Sequence, residues 1–230
     1  MTRKLEKLAF GAALLPFVMT LLNLGRLRRL PDASGHGAIS VLIPARDEEE
    51  TIQGAIDTVL ASQGVELELI VLDDHSSDRT LEILRAGDDP RLRVLQAPDL
   101  PEGWCGKTHA CAVLGEAARY GLMLFIDADV RLQPDALARL SGLMAEQPDA
   151  SSLSGVPRQA TRTFLEWLLL PLIHVLLLGY PPMVLDTARK PACAAASGQP
   201  DLLSRRAHPA SGWLPALRSR PAPRLARDPP

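Results

Sequence analysis

Leu122-Met-Leu-Phe-Ile-Asp-Ala-Asp-Val130 decides how this chain is read, because five bulky apolar residues run without interruption into two carboxylates one residue apart. A short apolar run without alternation reads as a strand buried on both faces. Such strands belong to parallel sheets, whose functional residues gather at the carboxyl ends. Asp127 and Asp129 are therefore expected at the mouth of a sheet. In extended chain, residues two apart point to the same side, so both carboxylates would face one metal ion or one diphosphate. Without a cation the pair would repel. A solvated turn is the mundane account of an isolated Asp-x-Asp, and the rest of the chain argues against it.

Outward from that strand, the chain alternates strands and helices. Ile39–Pro44, Leu67–Leu72 and Leu92–Leu95 read as strands, and Ser151–Val156 adds another. Glu49–Ser62 carries Ile52, Ile56, Val59 and Leu60 at helical spacing. Arg79–Ala86 is a helix capped from Ser77 or Asp78, Lys107–Tyr120 leads into the central strand, and Pro134 opens a helix with Leu137, Leu140 and Leu143 on one face. This order predicts an α/β fold, a Rossmann-like, mostly parallel sheet flanked by helices, with ligands beyond its carboxyl edge. A hydrophobic content of 47% suits a packed core, and a net charge of −2 gives no reason to expect nucleic acid. Cys105, Cys111 and Cys193 are odd in number and lack Cys-x-x-Cys spacing, which points to free thiols in a reducing compartment.

Three strand exits are polar: Pro44-Ala-Arg-Asp-Glu48, Asp73-Asp-His-Ser-Ser-Asp78 and Asp127-Ala-Asp129. Parallel strands would gather Arg46, Glu48, Asp74, Asp127 and Asp129 around one crevice. Taken singly, Asp73–Ser76 is also a good turn, and Glu48 also complements a helix dipole. Lys107 is expected near a helix start, where its ammonium and free backbone N–H groups would both face phosphate. Trp104 reads equally as a sugar platform or as packing, and His75 and His109 read as structural.

Pro44-Ala-Arg-Asp-Glu48, Val71-Leu-Asp-Asp-His-Ser-Ser-Asp78, Gly103-Trp-Cys-Gly-Lys107 and Asp127-Ala-Asp129, in that order, resemble the family 2 glycosyltransferases of GT-A fold. The Gly-Trp-x-Gly-Lys segment and the apolar N-terminus resemble the branch associated with hopanoid and carotenoid lipids. The resemblance runs from about Ile39 to Gln199. It implies a nucleotide-sugar donor, with Pro44, Arg46, Glu48 and Asp74 holding base and ribose. It also implies Mg2+ or Mn2+ on Asp129, with Asp127 contacting sugar or ribose and sharing the ion, and inverting transfer to a lipid or polyisoprenoid acceptor. A nucleotidyltransferase of similar topology would want a basic, Gly-rich phosphate loop where Ala45-Arg-Asp-Glu48 is acidic. A binding-only protein without a general base is the alternative from another class.

Four segments are expected. Residues 1–30 hold an uncharged stretch from Leu8 to Leu24, at the short end of a membrane-spanning helix, without a good signal-peptide cleavage site. Arg3, Lys4 and Lys7 before it nearly balance Arg26, Arg28 and Arg29 after it. Because nucleotide sugars are cytosolic, the expected location is the cell membrane with the following domain facing the cytoplasm. Residues 38–160 form the nucleotide-sugar-binding domain. Residues 161–199 form an apolar membrane-associated segment, interfacial or re-entrant rather than spanning, since Pro171, Glu166 and His174 interrupt it. Residues 200–230, rich in Pro and Arg, are expected to be disordered. No Glu follows Glu166, and Asp186, Asp201 and Asp228 lack a supporting motif, so the general base has no assigned residue. The expectation is a truncated or frame-shifted C-terminal part, with Asp201→Asn and Asp228→Asn changing nothing.

Overall fold

The computed structural model describes residues 14–24, 32, 35–148, 150, 152–155, 158–161, 163–179 and 201–204. The chain divides into two compact units, Leu30–Gly155 with Gly198–Pro230, and Met1–Arg29 with Val156–Ser197.

The larger unit is built on a six-stranded sheet of order β3-β2-β1-β4-β6-β5. Its strands are β1 (Ala38–Ala45), β2 (Glu66–Asp73), β3 (Leu92–Gln96), β4 (Leu122–Phe125), β5 (Ser152–Ser154) and β6 (Asp201–Ser204). β1 pairs in parallel with β2 from Ala38↔Glu66 to Ala45↔Asp73, and with β4 from Ile39↔Leu122 to Leu42↔Phe125. β3 is parallel to β2, whereas β6 runs antiparallel between β4 and β5. The helices are α1 (Ile52–Leu60), α2 (Thr80–Ala86), α3 (Gly106–Ala117) and α4 (Ala136–Ala145).

Because β1 and β2 are covered on both sides, their apolar runs feed two cores. Ile39, Val41 and Ile43 of β1 with Leu69 and Val71 of β2 pack with Ile52, Ile56, Val59, Leu84 and Leu137 of α1, α2 and α4. Leu42, Ile70 and Leu72 face the other way, onto Ala110 and Leu114 of α3. Period-two alternation of buried residues on both faces is why these strands read as unbroken hydrophobic runs.

β6 corrects the expectation of disorder over residues 200–230. Leu202 is buried in the first core and Leu203 packs on the second, so two adjacent leucines serve opposite faces and the strand fills the position beside β4. A tail average hides so short a segment. Residues 205–230 lie outside the described residues.

The expected N-terminal membrane helix is not supported. Residues 14–24 are helical, a length of about 16 Å at 1.5 Å per residue, and the stretch before Leu14 lies outside the described residues. In the same unit, α5 (Phe164–Gly179) would reach about 24 Å, short of the roughly 30 Å hydrocarbon layer. Among the described residues, no helix is long and apolar enough to cross a membrane. α5 opens with a reciprocal capping box: Glu166 N–H donates to Thr163 Oγ1 (3.2 Å), and Thr163 N–H donates to Glu166 Oε2 (3.1 Å). Glu166, read from sequence as an interruption, is the partner of the Thr163 cap. Phe164, Leu165, Trp167, Leu168, Leu169 and Leu172 are all exposed.

At the amino edge of the sheet lies a polar cluster that the apolar reading of β2 passes over. Glu68 is 3% exposed and accepts from Ser40 Oγ (2.6 Å), Arg119 N–H (2.6 Å) and Arg93 Nη1 (3.1 Å). Ser40 Oγ in turn accepts from Tyr120 N–H (3.1 Å). Burial opposes ionisation most strongly, yet the hydrogen bonds from Ser40, Arg119 and Arg93 together hold the Glu68 carboxyl below its ordinary value. A folded-state value below the unfolded one stabilises the protein above about pH 4.5, and that contribution is lost as pH falls through the folded value. Glu68→Gln should therefore cost about 1–3 kcal/mol at neutral pH and lessen the fall of stability on acidification below pH 4.5. Denaturant melts across pH check both.

Candidate active site

The carboxyl ends of β1, β2 and β4 lie at one edge, and the backbone continues to tie them beyond the strands. Asp74 N–H donates to Ala45 O (2.8 Å), and Ile126 N–H donates to Leu42 O (3.1 Å). The loops after β1 and β2 are then laced together by side chains. Asp47, in the left-handed region at φ 54°, accepts at Oδ1 from Ser77 N–H (2.7 Å) and Ser77 Oγ (3.0 Å), while its own N–H donates to Ser76 Oγ (3.1 Å). The Ser77 backbone and hydroxyl hydrogen bonds hold the Asp47 carboxyl below the usual range. Asp78 accepts from Glu49 N–H (3.0 Å) and Thr80 N–H (2.9 Å). Burial works against its ionisation, but the Thr80 and Glu49 hydrogen bonds prevail and lower its pKa.

This lacing absorbs Glu48. Its N–H donates to Thr80 Oγ1 (2.8 Å), its carboxylate accepts from the Thr51 hydroxyl, and its carbonyl accepts from Thr51 and Ile52 N–H as α1 begins. Of the sequence candidates, Glu48 thus has local work in shaping the loop, and Pro44 lies half-buried near the end of β1. Asp78, read from sequence as a helix cap, does take the Thr80 N–H at the start of α2, whereas the bonds that tie Asp47 and Asp78 to the other loop span about thirty residues and leave no local sequence signal.

The crevice itself is closed by α3. Asp73 is buried, while Asp74 is half-buried, with Oδ2 3.8 Å from Arg46 Nη1. A Cβ on Gly106, the first residue of α3, would stand 3.2 Å from Asp74 Oδ2, so the helix start approaches Asp74 to a distance that glycine suits. One residue on, Lys107 Nζ lies 2.8 Å from Asp127 Oδ1. Arg46, Asp74, Lys107 and Asp127, from three strand exits and one helix start, are thereby linked in one row. Trp104 leans edge-on against the buried His109 ring at 5.4 Å, so both help seat the start of α3.

Asp127-Ala-Asp129 departs from the extended chain read from sequence. β4 ends at Phe125, and Val130 N–H donates to Asp127 O (3.1 Å), which makes the segment a turn with Ala128 buried and Asp129 exposed. Among the described residues, no three His, Cys, Asp or Glu side chains gather as a metal cluster. Two hard carboxylates at an open edge nonetheless fit a Mg2+ or Mn2+ ion that takes its other oxygens from a diphosphate. Since β6 is antiparallel to β4, its start returns to this edge: Asp201 is level with Phe125. Asp201 thus stands at a strand position and not in a featureless tail.

A mostly parallel sheet with an acidic turn after the central strand, and an antiparallel strand inserted beside it, is an α/β arrangement of GT-A type. Residues 40–193 match Glycosyl transferase family 2, and the chain belongs to this family. It is 33% identical over 132 residues to 4,4'-diaponeurosporenoate glycosyltransferase of Staphylococcus aureus, covering 57% of this chain and 34% of that relative. The chain therefore spans about a third of that relative's length. Among solved structures it is similar to the mannosyltransferase PcManGT from Pyrobaculum calidifontis in complex with GDP-Man and Mn2+. That match has a TM-score of 0.52 and 25% identity, covering 66% of this chain and 46% of that one. It is also similar to glucosyl-3-phosphoglycerate synthase from Mycobacterium tuberculosis in complex with Mn2+, UDP and glucosyl-3-phosphoglycerate, with a TM-score of 0.52 and 26% identity, covering 74% and 57%.

The close approach at Gly106 yields a direct test. Gly106→Val brings branched carbons against Asp74 and the start of α3, an overpacking that costs about 1–3 kcal/mol, whereas Gly106→Ala needs only a small shift. Thermal melts should rank wild type and Gly106→Ala together, above Gly106→Val.

Proposed function

We propose that this chain binds a nucleoside diphosphate sugar at the carboxyl edge of its sheet and serves metal-dependent, inverting transfer of the sugar to a lipid or polyisoprenoid hydroxyl. The observation that carries the reading is the row Arg46–Asp74–Gly106–Lys107–Asp127, which offers acceptors for a base at one end and charge for a diphosphate at the other. Asp74, half-buried beside Arg46, accepts from the base, and the Pro44–Glu48 loop lies against base and ribose. Lys107 and the free N–H groups at the start of α3 face the phosphates. In the free protein Lys107 neutralises Asp127, and donor binding moves that ammonium onto phosphate oxygen.

Asp127 and Asp129 would hold the ion. Bound there, Mg2+ or Mn2+ neutralises charge on the departing diphosphate. Two similar proteins were crystallised with Mn2+, which supports Mn2+ as the first ion to try. The apolar acceptor rests on the diaponeurosporenoate relative and on the exposed apolar face of α5. That face, with Trp167 at 63% exposure, suits burial in the headgroup region of a bilayer. The basic residues Arg26, Arg28 and Arg29 would meet anionic lipid on the cytoplasmic side, where nucleotide sugars are made.

UDP or GDP should raise the melting temperature only with Mn2+ or Mg2+ present. The gain is about 2.7 kcal/mol of stability at a hundred times the dissociation constant. Asp129→Asn should lose the shift, and an equal shift in EDTA would take the metal out of the account. For the surface, full-length protein should co-sediment with phosphatidylglycerol vesicles, and Leu168→Asp with Leu172→Asp should release it. Undiminished sedimentation of that double variant would assign membrane contact elsewhere.

A further inference from the structure

Arg131 follows the acidic turn, and its exposed side chain turns its guanidinium back onto three backbone carbonyls. Its Nη1 donates to Ala128 O (3.2 Å) and Val130 O (3.1 Å), and its Nη2 donates to Thr51 O (2.8 Å) at the N-cap of α1. The Ala128 carbonyl lies in the peptide that leads into Asp129 and the Val130 carbonyl in the peptide that leads out of the turn, so one guanidinium nitrogen brackets the turn that carries Asp129. The third bond, from Nη2, anchors the guanidinium to α1, whose start is laced to the loops after β1 and β2. Leu132 N–H adds a parallel tie, donating to Thr58 Oγ1 (3.3 Å).

The guanidinium lies flat against α1 at Gly54. A Cβ there would come within 2.7 Å of Nε and Nη2 and 2.9 Å of Cζ. Glycine inside a helix is unfavourable relative to alanine, so the missing side chain at Gly54 is accounted for by the room it gives Arg131. Thr51 O already accepts from Ala55 N–H (3.3 Å), so α1 does not need Arg131 to satisfy that carbonyl. The bonds serve the turn.

We propose that Arg131, seated on Gly54, is a positioning residue of the donor site: it holds the Asp127-Ala-Asp129 turn in the conformation that presents Asp129 to a divalent cation and diphosphate. The proposal rests on the donor-site reading above. A planar, permanently charged fork meets three carbonyls at once, which a lysine ammonium on a flexible stem does less well. Partners that orient a ligating carboxylate typically change metal affinity by about 10- to 100-fold when removed.

Titration calorimetry of UDP and of GDP, each with MnCl2, tests it on the full chain as wild type, Arg131→Met and Gly54→Ala. Both variants should bind about 10- to 100-fold more weakly. Gly54→Ala should melt no lower than wild type, because alanine favours the helix while its Cβ displaces the guanidinium. Amide exchange at Val130, whose N–H closes the turn on Asp127 O, should quicken in both variants while β1 and β2 amides keep their protection. Unchanged affinity in both variants would overturn the proposal, and so would a loss of affinity matched by a general loss of stability. If wild type itself shows no Mn2+-dependent binding, the donor-site reading has failed. Val130 exchange then still decides whether Arg131 holds the turn.

Discussion

Parallel pairing of β1 with β2 on one side and β4 on the other is the constraint on which the rest of the structure depends. Three strands running the same way must leave the sheet at the same edge, and each exit carries polar residues that no core could hold. The apolar runs inside those strands drive the pairing, and the chemistry at their ends follows from its direction. β1, covered by helices on both faces, contributes to both cores and fixes the position of both neighbours.

On that frame the site is assembled by short-range devices. Asp47, Asp78, Thr80 and Ser77 lace the first two loops, leaving Arg46 and Asp74 on the side of α3. Gly106 lets the α3 start close on Asp74, and Lys107 crosses to Asp127. At the opposite edge, a cavity of about 310 Å3 is lined by Glu66, Arg91, Arg93, Arg119 and Tyr120. There Arg91 is bound to Asp89, and Arg93 and Arg119 to Glu68. That polarity ties strands together, whereas the carboxyl edge keeps Arg46 and Asp129 exposed.

Much of this was legible in the sequence, for physical reasons that differ by element. Buried strands announce themselves as apolar runs, and β1, β2 and β4 fall where those runs lie, while the half-buried β3 falls on the shorter stretch Leu92–Leu95. Glu68 and Ser40 are polar yet buried because they satisfy one another across β1 and β2, a compensation that only three-dimensional pairing reveals. The turn at Asp127–Val130 was read as extended chain because strand pattern does not say where the ladder stops. β6 was lost in a Pro- and Arg-rich surrounding, since a four-residue strand needs its neighbours to be recognised. The resemblance assigns Glu48 to base and ribose, and only the three-dimensional fold reveals that its backbone and carboxylate also take part in starting α1.

Under the proposed function, the carboxyl edge, and not the polar amino edge, takes a metal-bound nucleoside diphosphate. Paramagnetic line broadening by Mn2+ in the presence of UDP or GDP, read amide by amide, tests it most directly. Broadening should be strongest at Asp74, Lys107 and Ala128–Val130, with Ser40, Glu68 and Tyr120 spared. Broadening centred on Glu68 and Tyr120, or spread evenly over the sheet, would contradict it.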